Sequence, residues 1–156
     1  MEEAIIYGLS LIGAPYSPWI DGKELDSGDP AWNDDSNEDL PSRETIFKEG
    51  MFCTGLANLM LRKIGKSIPR YDKFNGGIYS YQITYKLYAF DINNISYGDA
   101  LFRPYTSFED QGHIAIVLDN GKVLQCFFSD GVNATYTVEE SNYNNYYKYI
   151  IKDLWA

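Results

Sequence analysis

Ile5, Leu9 and Ile12 recur at helical spacing and predict an amphipathic helix over Ala4 to Ile12 with one apolar face to dock on a sheet. A second helix is predicted from about Thr54 to Ile64. The aromatic stretch from Gly77 to Phe90 reads two ways. Ile78, Tyr81, Tyr85 and Tyr88 suit a helix, whereas Tyr79, Tyr81, Ile83, Tyr85 and Leu87 alternate as a strand does. Short apolar runs then predict strands near Ala100 to Arg103, His113 to Leu118, Val123 to Phe128, Val132 to Val138 and Tyr146 to Ile151, with Ser129-Asp130-Gly131 as a turn. Consecutive short strands joined by tight turns imply an antiparallel sheet, and with helices packed against it the class is α+β.

Composition adds one compact domain over residues 1–156. The chain is 45% hydrophobic and 16% aromatic, enough for a sizeable core, and no repeat or boundary is visible. A net charge of −9 argues against nucleic acid or an anionic membrane surface as partner, since both would repel it. No 18-residue apolar run is present, so no membrane span is expected. Met1-Glu2-Glu3 is acidic and the apolar stretch behind it is short, unlike a secretory signal. The interval from about 17 to 50 carries Asp21, Glu24, Asp26, Asp29, Asp34, Asp35, Glu38, Asp39, Glu44 and Glu49 against Lys23, Arg43 and Lys48. It offers little apolar surface to bury and reads as a surface loop.

Candidate chemistry centres on Cys53, placed where a loop turns into the second helix, and on His113, the only histidine. At a helix N-terminus, outward-pointing N–H groups and the helix dipole favour a thiolate, the reactive form. An imidazole alongside would complete a nucleophile and base pair. Each residue also has an ordinary structural reading: free cysteines are commonly buried as small hydrophobes, and a histidine after a glycine is commonly a surface side chain.

Five ordered segments within residues 9 to 125 resemble the NlpC-type cysteine peptidases, papain-like enzymes that cut peptide bonds in bacterial cell walls. Leu9-Ser10-Leu11-Ile12-Gly13-Ala14-Pro15-Tyr16 is similar to the family's opening helix and G-x-P-Y turn. Cys53-Thr54-Gly55-Leu56 is similar to the D-C-S-G nucleophile segment, followed by Ile68-Pro69-Arg70 where the family has L-P-R. Tyr97-Gly98-Asp99-Ala100-Leu101-Phe102 resembles G-D-L-x-F, and Gly112-His113-Ile114-Ala115-Ile116-Val117-Leu118-Asp119-Asn120-Gly121 resembles the G-H-V-G-I-Y-x-G-N-G hairpin. The resemblance implies a papain-like fold with the nucleophile helix packed on a central antiparallel sheet, and favours a helix over Gly77 to Phe90. It also implies Cys53 as nucleophile, His113 as general base, Gln125 as the group orienting the imidazole, and Tyr16 as a hydroxyl at the oxyanion. The implied reaction is hydrolysis of amide bonds in peptidoglycan stem peptides through a thioester, by a monomer without cofactor.

Strand parity tests the Gln125 assignment. A two-residue Asn120-Gly121 turn would put His113 and Gln125 on opposite faces. A three-residue loop, Asp119-Asn120-Gly121 with Gly121 left-handed, pairs Leu118 with Lys122 and Ala115 with Gln125, so that His113 and Gln125 share a face. We expect the three-residue loop, with Cys126 pointing away from the site and both cysteines free.

Two departures from the pattern bear on substrate. Phe52 stands where the family has an Asp that helps bind the substrate's amino end, and the acidic interval between Tyr16 and Cys53 is long. Solvation is the default reading of that interval; the sharper one makes it a wall or lid of the substrate cleft anchored by Trp19 and Trp32, with Trp19, Trp32 and Phe52 as the candidate substrate-binding residues. One histidine and two cysteines are too few for a usual zinc site, and no calcium loop is present, so no metal is expected. The same machinery would also serve another amide or ester, in an acyltransferase, a deamidase or a toxin, and a silent binding module could retain the fold. A wall substrate implies that a signal has been removed or that export follows another route, such as a phage particle.

Overall fold

The computed structural model describes residues 1–18, 40–71, 76–134 and 146–156. The order of elements is α1 (Glu2–Ser10), α2 (Arg43–Glu49), α3 (Cys53–Lys63), α4 (Ile78–Thr84), β1 (Tyr88–Ala89), β2 (Ala100–Arg103), β3 (His113–Val117), β4 (Val123–Phe127), β5 (Gly131–Asn133) and β6 (Tyr149–Ile151). The strands form one sheet in the order β1-β6-β2-β3-β4-β5, and every ladder is antiparallel. Helices packed on one antiparallel sheet make this an α+β papain-like fold.

Alternation along the strands divides the interior between two sheet faces. Phe102, Ile114, Ile116, Leu124 and Cys126 join Leu56, Met60 and Ala57 of α3 in the main core. Leu101, Ala115, Val117 and Val123 face the other way and pack with Tyr147 and Ile150. Helix α3 lies directly on β3 and β4, which brings its N-terminus to the point where these strands begin to matter chemically.

Helix α1 docks differently from its predicted face. It buries Ala4, Ile5 and Gly8 against α3, while Leu9 and Ile12 are 38% and 44% exposed. A Cβ on Gly8 would lie 2.8 Å from side-chain atoms of Met60 and Leu124, so the helices approach closely where no side chain intervenes. Of the predicted face only Ile5 is buried, and the small residues Ala4 and Gly8 complete the packed surface.

Part of the acidic interval is helical rather than a loop. Ser42 caps α2 by accepting from the Thr45 N–H, and Ile46 is fully buried. The first half of the aromatic stretch is helical, as α4, and the alternation from Tyr79 to Leu87 forms no strand; the chain extends only afterwards, where Tyr88–Ala89 pairs with β6. Strand β5 ends at Asn133, and the remainder of the predicted Val132 to Val138 strand extends outside the described residues.

The β3–β4 connection is the three-residue loop expected from parity. Asp119–Gly121 forms a single 3-10 turn, Gly121 has φ +74°, and the Leu118 N–H donates to the Lys122 carbonyl at 2.7 Å. The paired residues are Val117↔Val123 and Ile116↔Leu124, the register that a three-residue loop dictates.

Candidate active site

His113 opens β3, and Gln125 is the central residue of β4, on the same sheet face. The imidazole Nε2 lies 2.9 Å from Gln125 Oε1, and both side chains are buried. An amide oxygen can only accept, so this contact requires the proton on Nε2 and leaves the Nδ1 lone pair of the neutral ring free.

Cys53 is the first residue of α3 and belongs to the opposite, helix-packed side of the sheet. Its sulfur meets β3 through an opening in the ladder. The Val117 N–H and carbonyl both bond towards β2, so by alternation the Ile114 N–H points towards β4. The β3–β4 ladder ends at Ile116↔Leu124, and β4 continues in partnership with β5 alone. Beyond that point the Ile114 N–H faces the Cys53 sulfur in place of a strand partner, joined by the N–H groups of Thr54 and Cys53 itself. The backbone residue next to His113 thus holds the thiol.

Electrostatics at the site run against the expected thiolate. Burial pushes the Cys53 thiol up to about 12, outweighing the three N–H groups that favour its anion. Although the residue keeps some exposed surface, its sulfur is closely surrounded by protein. Burial likewise pushes His113 down to about 4, against the opposing effect of its hydrogen bond to Gln125. The resting pair is therefore a neutral thiol and a neutral imidazole. The helix N-terminus supplies donors, as its position predicts, but desolvation dominates them.

Tyr16 is held beside the segment leading into Cys53 by backbone pairing. It forms a parallel bridge with Met51, the Met51 N–H donates to the Pro15 carbonyl, and the Ser17 N–H donates to the Met51 carbonyl. Gly50 permits this approach: its φ is +77°, and a Cβ there would lie 2.6 Å from the Pro15 oxygen. Burial, then the charges of Cys53 and Cys126, push the Tyr16 hydroxyl up to about 12, so it stays a donor.

Cys126 shows the opposite parity to Gln125, as expected, yet it is not remote. Its thiol donates to the Met51 carbonyl at 3.2 Å, beneath the start of α3, and both cysteines are free. Phe52, at 5% exposure, is buried at the start of α3. Trp19 and Trp32 lie outside the described residues.

Aromatic and charged residues not evident from sequence patterns complete the site. The imidazole packs against Phe127 at 5.0 Å and against Tyr146 and Tyr147 at 6.2 Å each, while Phe128 stands edge-on to Tyr16. With 14 tyrosines in the chain, no motif separates these from ordinary packing residues. Among the described residues no cluster of three His, Cys, Asp or Glu side chains is positioned to hold a metal.

No family profile and no curated protein matches the chain. Solved structures do match it. The NlpC/p60 domain of the peptidoglycan hydrolase SagA is 14% identical, with a TM-score of 0.60 and 97% of each chain covered. RipD of Mycobacterium tuberculosis, a non-catalytic NlpC/p60 domain protein adapted to peptidoglycan binding, is 18% identical at TM-score 0.59, covering 97% of this chain and 95% of that one. An NlpC/p60 family protein of Bacillus cereus is 16% identical at TM-score 0.61, with 98% of this chain matching 40% of that one. The chain has the fold of the NlpC/p60 domains.

Proposed function

We propose that the protein is a cysteine hydrolase that cleaves amide bonds in peptidoglycan stem peptides. The observation that carries this reading is the 2.9 Å contact between His113 Nε2 and Gln125 Oε1 beside a sulfur facing the Ile114 N–H. It leaves the Nδ1 lone pair of the imidazole free, and this reading puts that lone pair within reach of the Cys53 thiol. His113 Nδ1 takes the thiol proton as the Cys53 sulfur attacks the amide carbonyl, because neither group is ionised beforehand. The helix-start N–H and the Tyr16 hydroxyl donate to the developing oxyanion. The imidazolium then protonates the leaving amine, releasing it and forming a thioester, and the same ring activates the water that hydrolyses that thioester. Gln125 fixes the tautomer and orientation throughout.

The similarity to SagA supports a peptidoglycan substrate, and that to RipD supports a second reading in which the domain binds peptidoglycan without cutting it. Digestion of purified muropeptides, followed by mass spectrometry, separates the two. The hydrolase reading expects new cleavage products with the wild type and none with Cys53→Ala. Binding without products from the wild type would establish the second.

A further inference from the structure

Arg103, the last residue of β2, lies directly opposite His113 in the β2–β3 ladder. Residues so paired project from the same sheet face. Its guanidinium joins two separate segments beside the imidazole. Nε and Nη2 donate to the two carboxylate oxygens of Asp110 at 3.1 and 2.6 Å, while Nη1 donates to the Tyr146 carbonyl at 2.8 Å. The same group sits 4.9 Å from the centre of the Tyr146 ring, which packs on His113 and on Tyr147. The loop between β2 and β3 is pinned at its other end as well, where the Tyr105 N–H donates to Gln82.

We propose that Arg103 is a positioning residue, whose fork to Asp110 and the Tyr146 carbonyl holds Tyr146 as the wall that seals His113 from water. The proposal assigns Arg103 and Asp110 no contact with substrate. They act through the tyrosine wall, and this role in the reaction rests on the hydrolase reading above. A lysine can keep the charge but not the three-way fork, so the wall depends on guanidinium geometry.

The titratable groups placed against His113 are Arg103, opposite it on β2, and Tyr146 and Tyr147 from the segment before β6, with Asp110 held on Arg103 behind them. Strand β4 contributes the non-titrating Gln125 and Phe127. Burial is the leading cause of the depressed imidazole basicity, and neither Arg103 nor Asp110 acts on it directly by charge. A wall and a simple field therefore predict opposite signs for Asp110→Asn. Opening the wall hydrates the ring and raises its midpoint, whereas removing a nearby negative charge lowers it.

The single histidine makes the test clean, because its Cε1–H resonance needs no assignment. In the folded wild type the ring is expected to remain neutral at pH ~5.5. Arg103→Lys, Asp110→Asn and Tyr146→Ala are each expected to raise the midpoint by about one unit or more. Tyr146 is already 38% exposed, so its truncation gives a variant independent of the ion pair. A wild-type midpoint near the ordinary value of ~6.5, no shift in the folded variants, or a lowered midpoint in Asp110→Asn would each overturn the proposal. On muropeptides, Arg103→Lys is expected to lower kcat about tenfold with KM little changed. A wild type that cleaves nothing defeats the hydrolase reading while the resonance still reports on the wall.

Discussion

The side chains of His113 and Gln125 meet across β3 and β4 at 2.9 Å, although the strands' own ladder has already ended at Ile116 and Leu124. The parting of the strands frees the Ile114 N–H to face the Cys53 sulfur, while the two side chains remain joined on the other face. On the proposed hydrolase reading, Cys53 and His113 would act from opposite sides of one sheet through a gap in its hydrogen bonding. The hydrolase reading gives Gln125 the orientation of the imidazole.

Replacing Gln125 with Ala is expected to lower kcat for muropeptide cleavage by roughly 10- to 100-fold, through loss of imidazole orientation. Gln125→Glu should retain more activity than Gln125→Ala. Its carboxylate accepts from Nε2 and favours the charged ring, so the acid limb of the pH profile moves upward. Steady-state kinetics over pH 4 to 9 checks both expectations. An unchanged kcat in Gln125→Ala would remove this residue from the mechanism.

With its thiol pushed up to about 12, Cys53 has no substantial thiolate population near neutrality. The rate of alkylation by iodoacetamide should rise about tenfold per pH unit from pH 6 to 9, following the thiolate fraction. Cys126 is fully buried, with its thiol pushed higher still by burial, and should react more slowly at every pH. A rate plateau below pH 8 would show a preformed thiolate–imidazolium pair instead.

His113 also links stability to acidity. Its midpoint is lowered by burial from the ordinary value of ~6.5 in the unfolded chain to about 4 in the fold, so the unfolded state binds more protons between these values. Stability due to the neutral ring is fully present above pH ~6.5 and is lost as pH falls towards 4, amounting to about 3 kcal/mol. Urea unfolding at pH 7 and pH 5 should show a smaller pH effect in His113→Gln than in the wild type.

Gly50→Ala tests the pairing that holds Tyr16. The left-handed backbone and the 2.6 Å approach to the Pro15 oxygen make the substitution costly, about 2 kcal/mol. Thermal unfolding measures that cost. Displacement of Tyr16 should also lower kcat relative to Gly65→Ala, where the added Cβ meets open space but the backbone is similarly left-handed.

What was readable in the chain depended on how local its cause was. The Asp119-Asn120-Gly121 loop and the shared face of His113 and Gln125 follow from turn chemistry and a period of two, both confined to neighbouring residues. The packed face of α1 was not readable, because Gly8 matters through Met60 and Leu124, far away in the chain. The short α2 was hidden in an acidic interval whose composition outweighed one cap at Ser42 and one buried Ile46. The ionisation of Cys53 was misjudged for a related reason: a helix N-terminus is visible in sequence, but the protein atoms that desolvate the sulfur are not. The Arg103 fork joins residues 43 apart and has no local signature.

The most direct test is to mix wild-type protein with muropeptides, quench in acid on a rapid timescale, and map any covalent adduct by mass spectrometry. The account predicts an acyl group on Cys53 whose mass matches one product, absent from Cys53→Ala and strongly reduced in His113→Ala. Cleavage that persists in Cys53→Ala, or wild-type turnover with the acyl group on another residue, would contradict it.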